Sequence, residues 1–262
     1  MDLQLVGKRV LVTGASKGIG LAIVRAFQEE GAIVTATARS VTPELKATGA
    51  AFVSADLSTV DGPQRMVEAV LAGDSRLDVL VNNAGGGVVP DEAFGDPLDG
   101  GDGTWAAGFD LNLHAAVRTI RAALPSLVEA RGAVVNISSD SARRPGAEPM
   151  PYSVAKAALN AFTRQLAERV APSGVRVNAI SPSATRTNLV TGKDGYIAQV
   201  ADKAGVDHGT LVASLPKHNG MLTETLIDPS EIARTVLLLA SPTMPSVIGA
   251  NWLVDAGATK VV

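Results

Sequence analysis

Two periods of hydrophobic and polar positions alternate along this chain. Short apolar runs recur at Arg9 to Thr13, Gly31 to Ala38, Ala51 to Ala55, Leu77 to Val81, Gly132 to Ile137, Val175 to Ile180 and Trp252 to Asp255. They are too short for helices and read as strands covered on both faces. Between them the apolar residues move to helical spacing. Ile19, Ala22, Ile23, Ala26 and Phe27 share a stripe over Gly18 to Glu30, and Ala155, Ala158, Leu159, Phe162 and Leu166 do so over Val154 to Val170. Further helices are expected from Asp61 to about Ala72, from Thr104 to about Ala130, and from Asp228 to about Ser241, where Asp228, Pro229 and Glu231 supply an N-cap, a proline at the first position and a capping-box acid. Seven strand-like runs alternating with helices, with no break in composition, predict one α/β domain over 1–262, built on a doubly wound seven-stranded parallel sheet with helices on both faces. Two stretches fall outside the pattern. Val88 to Gly103, with Asp91, Glu92, Asp96, Asp99 and Asp102, reads as an exposed loop, and about 185–228 reads as an insertion carrying one or two helices.

In a doubly wound sheet, ligands bind outside the carboxyl ends of the strands, so the residues at those ends carry the chemistry. After the first strand come Gly14, Ser16, Lys17, Gly18, Ile19 and Gly20, a glycine-spaced turn opening a helix, where free N–H groups and the helix dipole favour a phosphate. The second strand ends at Arg39 with no carboxylate nearby to take a ribose diol. Arg39 and Lys17 are placed to clasp a ribose 2'-phosphate, which favours NADP(H) over NAD(H); the alternative is that Arg39 is a solvated loop residue. Asp56 and Leu57 follow the third strand, at the adenine edge. Asn83, Ala84 and Gly85 follow the fourth, where small residues let a ligand approach the backbone. Asn112 lies among Phe109, Leu111, Leu113 and Ala116, either as a structural anchor or as part of a site, since a buried amide must find partners.

Composition narrows the function. Hydrophobic residues make up 46% of the 262 positions and charged residues 19%, which excludes disorder, while the apolar runs fall short of a membrane span. A net charge of -3, with no run of Lys or Arg, speaks against nucleic acid as a partner. There is no cysteine, His114, His208 and His218 show no metal-ligand spacing, and the first residues lack a signal-peptide pattern. A cytoplasmic protein without a metal site is expected.

Tyr152 and Lys156 stand one helical turn apart, thirteen and seventeen residues after Ser139. A fixed cation beside a phenol favours the phenolate and moves a group of ordinary pKa ~10 toward acid/base use. Such a pair by itself is most often solvated helix surface; its place after a strand ending in Ser139 changes that reading. Thr13-Gly14 with Gly18-Ile19-Gly20, Asn82-Asn83-Ala84-Gly85, Ser139, and Tyr152 with Lys156 together resemble the short-chain dehydrogenase/reductase family over nearly the whole chain. The resemblance implies a Rossmann fold, with Tyr152 as proton donor or acceptor, Lys156 lowering the tyrosine's pKa and holding the nicotinamide ribose, Ser139 bonding the substrate oxygen, and Asn112 supporting a water in the proton relay. It implies cofactor contacts from Pro182 and Thr187 and hydride transfer to a carbonyl, or from an alcohol, on a small-molecule substrate. It also implies a homotetramer or dimer built through the long helices. Ser183 departs from it, standing where the family usually has glycine. The alternatives are an epimerase or dehydratase relative, for which the chain lacks a separate substrate domain, and a non-catalytic NADP-binding regulator.

Overall fold

The computed structural model describes residues 1–87, 95–144 and 149–260. Its first half runs β1 (Arg9–Thr13), α1 (Gly18–Glu29), β2 (Ile33–Ala38), α2 (Pro43–Lys46), β3 (Ala51–Ser54), α3 (Gly62–Leu71) and β4 (Val79–Asn82). The second half runs α4 (Asp102–Phe109), a π-helical turn (Asp110–His114), α5 (Ala115–Ala130), β5 (Ala133–Ile137), α6 (Met150–Val170), β6 (Arg176–Pro182), the insertion helices α7 (Asn188–Thr191), α8 (Tyr196–Ala204) and α9 (His208–His218), then α10 (Pro229–Ala240) and β7 (Asn251–Val254). The seven strands form one sheet in the order β3-β2-β1-β4-β5-β6-β7, with every pairing parallel. The winding reverses between β1 and β4, which opens a crevice at their carboxyl ends.

Alternation along each strand sorts its side chains between two cores. Val10, Val12, Val79, Val81 and Val135 pack with Ile23 and Phe27 of α1 and Val236 and Leu239 of α10. Leu11, Leu80, Val134 and Val177 pack on the other face with Met66 and Val67 of α3 and Ile120, Ala123 and Leu127 of α5. Because both faces are covered, the central strands read as apolar runs.

Several boundaries moved, each for a local reason. The helix expected from Val154 begins at Met150, with Pro151 in its first turn where a missing N–H costs little, so Tyr152 is already helical. The helix expected from Thr104 starts at Asp102 and is interrupted by the π turn, in which Asn112 sits. The capping box at Asp228 forms, with Glu231 accepting from the Asp228 N–H. The insertion carries three helices rather than one or two. Its neck is closed by bonds from Arg186 N to Ile227 O at 2.8 Å and from Ile227 N to Ala184 O at 3.0 Å. The loop expected over Val88 to Gly103 ends at α4; its Asp91 and Glu92 lie outside the described residues, as do 145–148.

A buried polar chain crosses this otherwise apolar core. Asn82 and Asn136 are register partners on β4 and β5. The Asn82 amide donates to Asn136 Oδ1 at 2.9 Å, the Asn136 amide donates to Thr163 Oγ1 at 2.9 Å, and Thr163 donates to the Leu159 carbonyl at 2.7 Å. These bonds tie α6 to the sheet at a fixed height and rotation.

Candidate active site

The carboxyl ends of the strands border a cleft of about 490 Å³. At its centre the β1–α1 turn is built for backbone approach. A Cβ on Gly20 would overlap the Gly14 carbonyl oxygen and the Asn83 amide, so only glycine lets the start of α1 come this near to β1. Asn83 locks the neighbouring turn by donating its side-chain amide to the carbonyls of Thr13 at 2.9 Å and Gly14 at 3.0 Å. Thr13 Oγ1 accepts from the N–H groups of Asn83 and Ala84, each at 3.0 Å. No side chain caps the start of α1 and its first turn has no acid, so its N–H groups and dipole remain available to an anion.

One end of the cleft is cationic. Lys17 and Arg39 are exposed there beside Ser40 and Thr42, and Thr42 donates to the Ser16 carbonyl at 2.7 Å, fixing the strand-to-helix turns against each other. Asp56 and Leu57 border the same end. The Asp56 carboxyl is held below its ordinary range by bonds from the Ser58 side chain and backbone, with a smaller contribution from Arg39. Thr187, at the start of α7, closes over the glycine turn from the opposite wall, with its methyl 3.1 Å from the place a Cβ on Gly18 would take.

At the other end, Ser139, Tyr152, Lys156 and Pro182 line the cleft together. Lys156 is not solvated helix surface: it is only 3% exposed. Its ammonium donates to the Ile137 carbonyl at 2.8 Å and lies 5.7 Å from the centre of the Tyr152 ring. Desolvation pushes it down to about 8, so the site holds a cation at neutral pH that no carboxylate pairs with among the described residues. Gly85 completes this pocket, because a Cβ there would stand 2.8 Å from Asn112 Oδ1 and 3.0 Å from Lys156 Nζ.

Asn112 is placed differently from the others. It is buried behind the cleft wall and clamps Gly86 from both sides, accepting from its N–H at 2.9 Å and donating to its carbonyl at 3.0 Å. A third bond, to the Gly108 carbonyl at 2.9 Å, occupies the acceptor one turn back in the helix. The side chain therefore shapes the Gly85–Gly87 segment, and Leu111 is the π-turn residue that lines the cleft.

Sequence reasoning missed Asp140 and Ser141, which share a buried 3-10 turn with Ser139, and the insertion residues Asn188, Leu189 and Val190 on the far wall, which Tyr196 also lines. Asp140 and Ser141 adjoin Ser139 in sequence, but only the folded turn aims their polar atoms at it. Ser183 also lines the cleft, with a buried hydroxyl that lacks a hydrogen-bond partner among the described residues. A smaller cavity of about 280 Å³ lies at the amino ends of the strands; of its lining charges, Asp78 pairs with Lys8 and Arg76, and Arg176 is bound to the carbonyls of Leu239, Ala240 and Ser241.

Known proteins resemble this chain in sequence and fold. The family model described as enoyl-(acyl carrier protein) reductase matches residues 14–259. An uncharacterized oxidoreductase of Bacillus subtilis (strain 168), YvrD, is 35% identical over 99% of both chains. The 3-oxoacyl-[acyl-carrier-protein] reductase FabG of Chlamydia pneumoniae is 30% identical over 99% of this chain and 100% of its own. The crystal structure of L-sorbose reductase from Gluconobacter frateurii, complexed with NADPH and L-sorbose, superposes over the full length of both chains with a TM-score of 0.88 at 29% identity.

Proposed function

The chain belongs to the short-chain dehydrogenase/reductase family of oxidoreductases, and from that premise we propose that it is an NADP(H)-dependent reductase of small carbonyl compounds, running in reverse on the alcohols. The observation that carries this reading is the buried, undercompensated Lys156 ammonium beside Tyr152 and Ser139, in the same cleft as an uncapped helix N-terminus.

The residues present suit a nicotinamide dinucleotide. The glycine turn and the free N–H groups of α1 would hold its pyrophosphate, Lys17 and Arg39 its 2'-phosphate, and Asp56 and Leu57 the adenine edge. The Asn83–Gly85 segment, Pro182 and Thr187 would border the nicotinamide half. Bound in reduced form, such a cofactor supplies a hydride to the carbonyl carbon. Tyr152 then delivers the proton to the substrate oxygen. Lys156 stabilises the phenolate that remains and offers the nicotinamide ribose a donor. Ser139 donates a hydrogen bond to the same substrate oxygen and so stabilises negative charge as it develops there. Asn112 keeps the floor rigid through Gly86. The residues of α7 and α8 that line the cleft, Asn188, Leu189, Val190 and Tyr196, are uncharged and suit a neutral substrate. Met150 and Val154 of α6 and Val128 of α5, all exposed, support a dimer or tetramer through those helices, which sedimentation equilibrium tests.

Titration of cofactor fluorescence tests the cofactor reading. NADPH binds more tightly than NADH, and Arg39→Ala weakens NADPH by roughly tenfold with little effect on NADH, as loss of one charged phosphate contact implies. Tighter NADH binding by the wild-type protein removes the NADP preference. Tyr152→Phe abolishes turnover of a carbonyl panel while NADPH binding persists; equal turnover in that variant overturns the catalytic assignment.

A further inference from the structure

The turn Ser139-Asp140-Ser141 is buried, and its hydrogen bonds run in one direction. Ser139 Oγ accepts from the Ser141 N–H at 3.2 Å and from the Ser141 hydroxyl at 2.9 Å. A serine hydroxyl has two accepting positions and one proton. With both positions filled by Ser141, Ser139 is left as a donor. Among the described residues its acceptor is Asp140 Oδ1 at 3.5 Å, longer than an O–H···O bond prefers, so that proton is available to a substrate oxygen.

Asp140 is pinned through its other oxygen. Oδ2 accepts from Arg144 Nε at 3.2 Å and Nη2 at 2.8 Å, while Arg144 Nη1 donates to the Asn219 carbonyl at 2.8 Å, just beyond α9. The carboxylate is thereby fixed between the β5 turn and the insertion, and its charge is balanced. It has no need of a cation from a ligand. Oδ1, with only the long Ser139 contact among the described residues, keeps accepting capacity next to the reacting centre.

We propose that Asp140 is a specificity-determining residue whose Oδ1 accepts a hydroxyl on the carbon adjacent to the reacting one. The favoured substrates are then α-hydroxy ketones and α-hydroxy aldehydes. The inference rests on the reductase reading above. The carbonyl carbon gains a hydride from the reduced dinucleotide and its oxygen gains a proton, leaving a vicinal diol and the oxidised cofactor. The match is one of neighbouring polarities: Ser139 presents a donor and Asp140 an acceptor, while a hydroxy ketone presents an acceptor and a donor that also lie within hydrogen-bond range of each other. A plain ketone or an acyl thioester fills the first position and leaves a buried carboxylate oxygen against hydrocarbon, the situation in which sites reject an analogue lacking a hydroxyl.

The test compares kcat/KM of the full-length protein with NADPH on two matched pairs, hydroxyacetone against acetone and 2-hydroxycyclohexanone against cyclohexanone. The hydroxylated member is favoured by about tenfold or more, the value of one hydrogen bond to a charged group. In Asp140→Asn the amide oxygen faces Arg144 and the NH2 group faces the cleft, so the ratio falls toward parity, mainly through KM. Parity in the wild-type protein on both pairs overturns the inference whether or not the variant folds, as does an unchanged ratio in a variant that still binds NADPH. Reduction of other carbonyls with none of these four also overturns it while the reductase reading stands. If no carbonyl at all is reduced, both fall.

Discussion

Lys156 makes folding stability depend on alkaline pH in a way a surface lysine cannot. Its ammonium falls from 10.5 in the unfolded chain to about 8 in the folded one, which corresponds to about 3 kcal/mol by which burial disfavours the charged form. The folded pKa is depressed, so between pH ~8 and ~10.5 the unfolded chain binds more protons and stability must rise with pH. Below that window both states are protonated and the full penalty applies. Lys156→Met removes the penalty but strips the Ile137 carbonyl of its 2.8 Å donor, a loss of about 1–3 kcal/mol. The variant is thus expected to be equal to or up to about 2 kcal/mol more stable than wild type at neutral pH, with the advantage vanishing and then reversing as pH rises. Urea unfolding followed by circular dichroism over this range measures it, and the absence of cysteine keeps thiol oxidation out of the alkaline samples. Taking the difference between the two proteins cancels the other titrating groups to first order. A difference that stays flat from pH ~7 to ~10.5 refutes the buried-ammonium account. The same substitution should also cost turnover and cofactor affinity, so that the stabilised protein is the inactive one.

Gly85→Ala drives a methyl to within 2.8 Å of Asn112 Oδ1 and 3.0 Å of Lys156 Nζ; kcat should fall at least tenfold while the melting temperature changes by only a few degrees, and unaltered kcat refutes the close approach. Asn136→Ala leaves the Asn82 amide and Thr163 hydroxyl without their partner in the core, and urea unfolding should show a loss of about 2–4 kcal/mol. A loss below about 0.5 kcal/mol would mean the polar chain is not a structural tie.

The sheet was readable because strands buried on both faces appear as apolar runs, and because glycine spacing, a capping box and the order of motifs are local features. Arg9–Thr13 and the start of α1 at Gly18 needed no tertiary information. So too Gly14, Lys17, Arg39, Asn83 and Ser139 could be named from position, since each follows a strand's carboxyl end or opens the next helix, while Tyr152 and Lys156 were marked by their spacing of one helical turn and by the family resemblance; the fold gathers all of them around one cleft.

Other features depend on contacts between residues far apart in the chain. The pairing of Asn82 with Asn136 follows from strand register, and the π turn at Asn112 accompanies a side chain bound both to Gly86 and to the preceding helical turn; neither leaves a signature in local hydrophobicity. The Asp140–Arg144–Asn219 link joins the β5 turn to an insertion whose weak pattern concealed three helices. The sequence determined which residues could do chemistry at the edge of a parallel sheet. Tertiary structure decided which are buried, which way their protons point and how far Lys156 is removed from water, because desolvation and hydrogen-bond direction exist only once the chain has closed around them.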